Sequence, residues 1–278
     1  MATIAQLFLY PVKGCRGIAI ERATLAETGL EVDGIGDREW VVVDEDGQFL
    51  SQRELPKMAL IETRLAGGTL RLKAPGMLQL EVPIESEGDV VKVRVWNDEI
   101  AAVTQGEIAD AWFSRFLGQP ARLRRFDPEA RRLSNTRFTG ATEAPYKFAD
   151  ALALLVTSSA SLVELNRRLA QRKIAAVGIE RFRPNIVLAD TDAFEEDYVA
   201  QLSIGSSELR LVKPCVRCSV PNVDPGTGES SSEPGDTLAL FRDNARAGGV
   251  TFGMNAIVAS GAGAEITRGA AAEMRLAL

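Results

Sequence analysis

The sequence predicts a mainly β protein with some α-helix, of the α+β class, in which an N-terminal β-barrel-like domain precedes a second β-barrel domain. Short apolar runs separated by glycine-containing turns dominate residues 1–120, as in barrels and curled sheets. Apolar residues at helical spacing are confined to two segments. The chain of 278 residues is 46% hydrophobic and 25% charged, which is typical of a globular protein long enough for two domains.

Turn residues place the strands of the N-terminal half. Asp44-Glu45-Asp46-Gly47 and Gly67-Gly68 each lie between two β-rich runs, which predicts two hairpins. Residues 90–96 alternate apolar and polar side chains, as in a half-buried strand. Gly118 follows a run of helical periodicity and predicts its C-terminal end. The predicted elements are strands 6–12, 40–43, 48–50, 60–65, 69–73 and 90–96, and a helix over 108–117.

A polar stretch over 122–148 has little periodicity and contains six arginines, so it is predicted to connect the two domains. Two interpretations of these arginines stay open: they belong to a solvated loop, or to an arm that faces an anion. The predicted division is an N-terminal domain over 1–122, a connecting segment over 123–147 and a C-terminal domain over 148–278. The arginines are Arg122, Arg124, Arg125, Arg131, Arg132 and Arg137.

The C-terminal half combines short strands with one predicted helix. Thr157-Ser158 precedes a run with leucines on one helical face and offers that helix an N-cap. Pro184 precedes one strand, and a later strand leads to Pro214. The dense turn residues at 222–228 introduce a predicted mobile surface loop at 226–235. The predicted elements are strands 151–156, 185–188 and 208–213, and a helix over 161–172.

The composition excludes several classes of function. The net charge of −6 argues against sequence-independent nucleic-acid binding, which needs a broad basic face. No apolar run is long enough to span a bilayer and no secretory signal is recognised, so we expect a cytoplasmic protein with free thiols and no membrane association. The absence of histidine removes histidine-based triads and histidine-ligated zinc or iron. Any metal site must therefore use cysteine, carboxylates or ligands that a cofactor brings.

The pair Cys215-x-x-Cys218 admits four interpretations. A thioredoxin-like dithiol should open a helix, but turn residues and Pro221 follow this pair. A zinc site lacks a second pair, although Cys15 and a carboxylate could complete it. A buried structural pair leaves the intervening Arg217 without a role. The remaining interpretation is a single thiolate that binds a soft metal centre beside a cation.

Cations recur in further motifs, each at a strand end or a turn. These motifs are Tyr10-Pro11-Val12-Lys13-Gly14-Cys15, Asp37-Arg38 with the later Gln52-Arg53, and Arg181-Phe182-Arg183-Pro184-Asn185. In this order, and followed by Lys213-Pro214-Cys215-Val216-Arg217-Cys218 and Val223-Asp224-Pro225-Gly226-Thr227-Gly228, they resemble the MOSC family and the β-barrel domain that precedes MOSC. The layout is similar to that of the mitochondrial amidoxime reducing components and their bacterial counterparts. The resemblance covers nearly the whole chain and implies that the second barrel is a MOSC β-barrel domain.

The resemblance implies a molybdenum cofactor, whose pyranopterin supplies most of the metal's ligands. It implies Cys218 as the thiolate that binds molybdenum and as a catalytic residue. Asp224 is a second catalytic candidate, to orient a ligand or relay a proton, with a turn-forming role before Pro225 as the alternative. Gly14 stands where the animal proteins have serine, and Asn255 where they have an aromatic residue. The implied cofactor-binding residues are Lys13, Gly14, Arg38, Arg53, Arg183, Asn185, Arg217 and Asn255.

The activity that the resemblance implies is two-electron reduction of N-hydroxylated compounds to amines, with hydroxylamines, amidoximes and N-hydroxylated bases as substrates. Three cysteines cannot form a four-cysteine iron–sulfur site, so electrons are expected from a separate iron–sulfur or flavin protein. Pyridoxal phosphate binding is a further family-level expectation. The alternatives are a carrier of molybdenum cofactor, or of sulfur on Cys218, without its own turnover, a metal-free dithiol module, and a plain structural domain.

Overall fold

The computed structural model describes residues 1–85 and 87–277, and its regular structure is mostly β-strand, which confirms the predicted fold class. The strands are β1 (Ala2–Leu9), β2 (Ile18–Ile20), β3 (Arg22–Ala26), β4 (Gly29–Val32), β5 (Ile35–Gly36), β6 (Trp40–Val43), β7 (Glu62–Ala66), β8 (Thr69–Lys73), β9 (Leu80–Pro83), β10 (Val90–Val95), β11 (Asp98–Thr104), β12 (Arg122–Phe126), β13 (Leu154–Ser158), β14 (Ile186–Ala189), β15 (Val199–Ile204), β16 (Ser207–Val216), β17 (Asp243–Asn244), β18 (Gly249–Ser260), β19 (Glu265–Thr267) and β20 (Ala271–Leu276). The α-helices are α1 (Glu107–Leu117), α2 (Thr136–Thr139), α3 (Ser159–Gln171) and α4 (Gly235–Arg242). Short 3₁₀ helices cover Pro56–Leu60, Ile179–Phe182, Glu195–Tyr198 and Val220–Asn222. Within the described ranges, no helix combines the length and the apolarity that a bilayer crossing requires.

Seven strands form a closed barrel built mainly from the C-terminal half. Their order is β13-β14-β1-β20-β15-β16-β18, and the pairing of β18 with β13 closes the barrel. The N-terminal strand β1 lies in this barrel, antiparallel to β14 and β20, with Leu7 opposite Ile186. Leu7 and Leu9 are buried on one face of β1, which gives the strand an apolar side to pack into the core. Strand β1 therefore belongs to the barrel that is formed mainly by the C-terminal half. The predicted domain boundary at residue 122 does not account for this pairing.

Three antiparallel sheets make up most of the remaining N-terminal half. They are β10-β11-β12-β6, β7-β8-β9 and β19-β3-β4-β5, and the last of them includes a strand from near the C-terminus. Helix α1 buries Trp112 and Phe113 in the same core as Leu70 and Leu80. It ends at Gly118, whose left-handed backbone (φ 76°) caps the helix as the sequence predicts. Each half of the chain thus contributes a strand to a sheet of the other half: β1 to the C-terminal barrel, and β19 to the sheet of β3, β4 and β5.

The polar stretch over 122–148 differs from its prediction. Its first five residues form β12, which pairs with both β6 and β11, so the expectation of an irregular connection starting at 122 was wrong. Hydropathy does not reveal this strand because two of its three arginines lie partly or fully buried in ion pairs. Arg124 lies 2.9 Å from Asp110, and Arg125 lies 2.6 Å from Glu39. The strand is consequently charged in sequence although it lies inside a sheet.

The elements that frame the site lie close to their predicted positions. Helix α3 begins at Ser159, and the hydroxyl of Ser158 accepts a hydrogen bond from the backbone N–H of Ser161, which makes Ser158 the N-cap. Strand β16 is longer than predicted and continues through Val216, so Cys215 lies in a strand. Residues 48–50, predicted as a strand, form only isolated bridges with their neighbours.

Candidate functional site

A cavity of about 240 Å³ is lined by segments from both halves of the chain. Its wall is cationic, because six of the described lining residues are basic and one, Asp150, is acidic. The basic residues are Lys13, Arg38, Arg53, Arg183, Lys213 and Arg217. Four of the other predicted site residues also line the cavity, namely Gly14, Asn185, Cys218 and Asn255, whereas Asp224 does not. Motifs far apart in the sequence therefore meet at one place.

Lys13 is held in the cavity wall by an ion pair. It follows β1, is 8% exposed, and its Nζ donates a hydrogen bond to Oδ1 of Asp150 at 2.6 Å. Burial lowers the pKa of Lys13; Asp150 opposes this shift, while Arg38 and Arg132 add to it. Desolvation alone would raise the pKa of Asp150, but Lys13 and a hydrogen bond from Trp96 hold it below its usual range. The ion pair thus opposes the loss of charge that burial imposes on Lys13.

Arg38 and Arg183 both stack on the ring of Tyr10, with their guanidinium carbons 4.3 and 4.4 Å from its centre. Arg38 pairs with Asp37 and donates to the carbonyl of Arg183 at 3.0 Å. Arg183 donates to the carbonyl of Cys15 at 2.6 Å, while its Nη2 is buried without a partner among the described residues. Burial and the charge of Arg38 lower the pKa of Arg183 to about 10, so Arg183 stays charged at neutral pH. Two adjacent cations therefore leave a donor unsatisfied at this wall.

Three residues of the wall adopt left-handed backbone, namely Arg38 (φ 48°), Trp96 (φ 58°) and Arg183 (φ 59°). This conformation costs a non-glycine residue on the order of 1 kcal/mol, so the surrounding contacts must maintain it. Asn185 supplies such contacts, since its Oδ1 accepts from Nη1 of Arg38 at 3.2 Å and from the N–H of Leu155 at 3.1 Å. Asn185 is fully buried and acts by holding Arg38 in place.

The end of β16 brings both cysteines of the Cys-x-x-Cys motif to the cavity. Cys215 is half-buried, Cys218 is exposed, and both are free thiols. Arg217 Nη1 lies 2.9 Å from the sulfur of Cys215, and Nη2 of Arg217 donates to the carbonyl of Phe182 at 2.9 Å. Arg217 therefore contacts Cys215 directly, whereas the sequence suggested that it accompanies Cys218. Cys15 is buried in the core, and this burial raises the pKa of its thiol to about 12.

Gly14 and Asn255 contribute hydrogen bonds that order the cavity wall. A Cβ on Gly14, whose φ is 85°, would lie 2.8 Å from Cε of Met58. The carbonyl of Gly14 instead accepts a hydrogen bond from Nε2 of Gln52 at 2.6 Å. Asn255 donates to the carbonyl of Lys213 at 3.4 Å, which ties β18 to the strand that leads to the cysteines.

The site residues predicted from the sequence did not include Phe49, Trp96, Asp150 or Lys213, which also line the cavity. Trp96 lies in the turn between β10 and β11, where Arg53 stacks on its ring at 4.4 Å and Phe49 packs at 5.1 Å between ring centres. A large aromatic residue next to a polar turn was the available signal for Trp96, and proximity to the cysteine motif was the signal for Lys213. Asp150 had no comparable signal in its local sequence.

Asp224 lies outside the described lining of the cavity. Its carboxylate pairs with Arg181 at 2.6 Å and accepts hydrogen bonds from the backbone N–H groups of Gly226 (2.7 Å) and Thr227 (3.2 Å). The hydrogen bond from Gly226 is the main reason that the pKa of Asp224 is lowered. This geometry agrees with the turn-forming alternative and gives the predicted catalytic role no support.

Two other interpretations from the sequence also lack a structural basis. The described residues contain no group of three or more cysteine, histidine or carboxylate side chains that could hold a metal ion, which argues against a zinc site at Cys15. Cys215 lies in a strand, and the 3₁₀ helix Val220–Asn222 follows Cys218, so the pair does not open an α-helix as a thioredoxin-like dithiol would. Within the described structure, the six arginines of 122–137 do not line the cavity, which gives the anion-facing interpretation no support. Arg124 and Arg132 are buried in ion pairs, so the solvated-loop interpretation does not hold for these two.

Comparison with known proteins identifies the family. The model of the MOSC N-terminal beta barrel domain matches residues 1–120, and that of the MOSC domain matches residues 143–271. The chain is 35% identical to mitochondrial amidoxime reducing component 2 of Homo sapiens over 87% of this chain and 73% of the relative. It is 36% identical to the human mitochondrial amidoxime-reducing component 1 over 87% of this chain and 72% of the relative.

The names of these relatives bear on two expectations. They place the relatives in mitochondria, so a cytoplasmic location for this chain stays a prediction. They give no support to pyridoxal phosphate binding. The two domain matches and the two human relatives show that this chain is homologous to the amidoxime reducing components. The chain belongs to the MOSC family and also has the MOSC N-terminal β-barrel domain.

Proposed function

We propose that this chain binds the molybdenum cofactor in the cationic cavity, with Cys218 as the thiolate ligand of molybdenum, and reduces N-hydroxylated compounds to amines. The observation that supports this most directly is that Cys218 and six basic side chains line one cavity. The relatives at 35 and 36% identity are named for amidoxime reduction, which agrees with the proposed class of reaction.

The donor set fits an anionic cofactor that brings its own metal ligands. Arg183 Nη2 and Arg217 Nε are buried without a partner among the described residues, and oxygens of a bound anion would satisfy such donors. A metal at Cys218 would need further ligands from outside the described chain, because no cluster of three metal-binding side chains is found there. A pyranopterin with a dithiolene and a phosphate meets both requirements.

The reaction consumes two electrons and two protons: the N–O bond of the N-hydroxylated compound breaks, and the products are the amine and water. The bound cofactor would supply the two-electron chemistry at its metal. The chain's own residues hold the anion through Lys13, Arg183 and Arg217, and Trp96 forms part of the wall that the substrate meets. Asp150 does not donate a proton at neutral pH, because Lys13 and Trp96 keep its pKa below the usual range against the effect of desolvation.

The electron supply belongs, in this proposal, to a separate iron–sulfur or flavin protein. An iron–sulfur cluster of the common type needs four cysteines. The chain has three, and Cys15 is buried in the core, which leaves Cys215 and Cys218 at the cavity. We therefore assign electron delivery to a partner that approaches the cavity.

The proposal is tested by reduction of benzamidoxime with a chemical electron donor, using protein made in a host that produces molybdenum cofactor. We expect the wild type to form benzamidine and Cys218→Ser to lose this activity. Arg131→Gln should keep it, since Arg131 pairs with Glu143 on the surface away from the cavity. Bound molybdenum without amine formation would support the carrier alternative. Protein without molybdenum would contradict the proposal.

A further inference from the structure

Among the described residues that line the cavity, Asp150 is the only carboxylate, and the other charged residues are basic. It lies before β13, and its side chain is 67% exposed. Its Oδ1 accepts two hydrogen bonds, from Nζ of Lys13 at 2.6 Å and from Nε1 of Trp96 at 2.9 Å. A single oxygen thus joins a basic residue of the proposed cofactor site to an aromatic residue from the β10–β11 turn.

This contact opposes the effect of burial on the charge of Lys13. Its side chain is 10% exposed, and within the described structure the hydrogen-bond partner of its Nζ is Asp150. The other charged groups that act on it, Arg38 and Arg132, are positive, and the ring of Phe49 lies 5.3 Å from Nζ. A buried ammonium among cations loses its proton readily unless a carboxylate compensates. Asp150 is the group in position to do this.

Trp96 donates to the same oxygen and adopts a backbone conformation that bulky residues rarely have. Its φ is 58°, and the residue is 45% exposed. The guanidinium of Arg53 stacks on the ring, and Phe49 packs beside it. Without the hydrogen bond to Asp150, the indole N–H would have to find water, and the exposed ring would lose the contact that fixes its orientation.

We infer that Asp150 is a positioning residue that keeps Lys13 charged and directed toward an anionic ligand and fixes Trp96 as a wall of the substrate entrance. The identity of the ligand and of the substrate rests on the proposed function. Asp150 does not itself enter the reaction, and it acts through Lys13 and Trp96. One carboxylate therefore links retention of the cofactor to the shape of the entrance.

Two variants separate the charge of Asp150 from its hydrogen bonds. Asp150→Asn keeps an oxygen acceptor of similar size without the charge, and Asp150→Ala removes both. Arg131→Gln is the control for molybdenum retention. Trp96→Phe, which keeps an aromatic ring and removes the indole, is the reference for the emission measurement. The first measurement is the molybdenum retained after dialysis over a series of pH values. The second is the fluorescence emission of Trp96 in cofactor-free protein, taken as the difference between each protein and its Trp96→Phe form.

Both Asp150 variants should lose molybdenum at lower pH than the wild type, because Lys13 without a counter-charge loses its proton earlier. A lower pKa of Lys13 reduces its charged fraction most at high pH, so we expect about threefold less molybdenum than in the wild type near pH 9. Arg131→Gln, which breaks an exposed ion pair with Glu143, should retain molybdenum as the wild type does. Trp96 emission should move to longer wavelength in Asp150→Ala and stay unchanged in Asp150→Asn.

The results separate this inference from the proposed function. Molybdenum retention equal to wild type in Asp150→Asn at every pH, or unchanged Trp96 emission in Asp150→Ala, would overturn the inference. A wild-type protein that binds no molybdenum would overturn the proposed function instead. The emission measurement would still decide whether Asp150 fixes Trp96, since it needs no cofactor.

Discussion

Replacement of Glu39 by glutamine should lower the free energy of unfolding by about 3 kcal/mol. Glu39 follows the cavity residue Arg38, and its side chain is 4% exposed. Its Oε1 lies 2.7 Å from Nε and 2.6 Å from Nη2 of Arg125. Its Oε2 accepts from Nζ of Lys147 and from the N–H of Gly36, each at 2.6 Å. The carboxylate therefore joins β12, the segment that follows β12, and the turn that presents Arg38 to the cavity.

The size of the expected loss in the free energy of unfolding follows from the burial of these ion pairs. Removal of one partner from a buried ion pair costs about 3–5 kcal/mol, because the remaining charge stays buried without compensation. The side chains of Arg125 and Lys147 keep 16 and 17% exposure, and glutamine retains one oxygen acceptor, so the lower end of this range applies. Urea unfolding, with the midpoint compared at equal slope, measures the change.

Arg131→Gln is the matched control for this measurement. It breaks an ion pair with Glu143 whose two side chains are 59 and 64% exposed. Exposed pairs of this kind contribute less than about 1 kcal/mol, so the control should unfold nearly as the wild type does. A change for Glu39→Gln as small as that for the control would refute the argument that buried charge pairing holds this turn.

Three further predictions concern thiol reactivity, backbone conformation and pH. In the native protein a thiol reagent should label Cys215 and Cys218, and reach Cys15 only after unfolding, because Cys15 is fully buried and its pKa is raised to about 12; labelling of all three at one rate would contradict this. Gly14→Ser should lower the free energy of unfolding by about 1 kcal/mol, since a φ of 85° favours glycine; a melting temperature equal to wild type would count against it. Burial raises the pKa of Glu196, so the folded protein binds this proton more readily than the unfolded chain and loses stability as pH rises above 4.5 toward the folded-state pKa. Glu196→Gln should flatten that part of the stability profile in urea titrations at several pH values, and an unaltered profile would show that another group is responsible.

The sequence predicts much of the candidate site because its basic residues lie in short local motifs. Lys13, Arg38 and Arg183 each occur beside a strand end, and strand ends can be recognised from apolar runs and turn residues. The atoms that meet across the cavity cannot be predicted in this way. The hydrogen bond between Lys13 and Asp150 joins residues 137 positions apart, and no local pattern marks Asp150 as its partner. The contact of Arg217 with Cys215 likewise depends on β16 continuing through the motif.

The same distinction between local and distant interactions applies to the fold. Strand β10 was predicted because its side chains alternate between a buried and an exposed face. Strand β12 was missed because buried ion pairs, rather than apolar side chains, satisfy Arg124 and Arg125. The place of β1 in the C-terminal barrel depends on pairing with β14, and an individual strand does not specify a partner so far along the chain.

The central claim is that the sulfur of Cys218 binds molybdenum, and X-ray absorption at the molybdenum edge tests it most directly. Cys215→Ser is the matched control, since Cys215 lines the same cavity two positions from Arg217 and three from Cys218. We expect wild type and Cys215→Ser to have the same number of sulfur neighbours around molybdenum, and Cys218→Ser to have one fewer or to bind no metal. Unchanged molybdenum content and sulfur coordination in Cys218→Ser would contradict it.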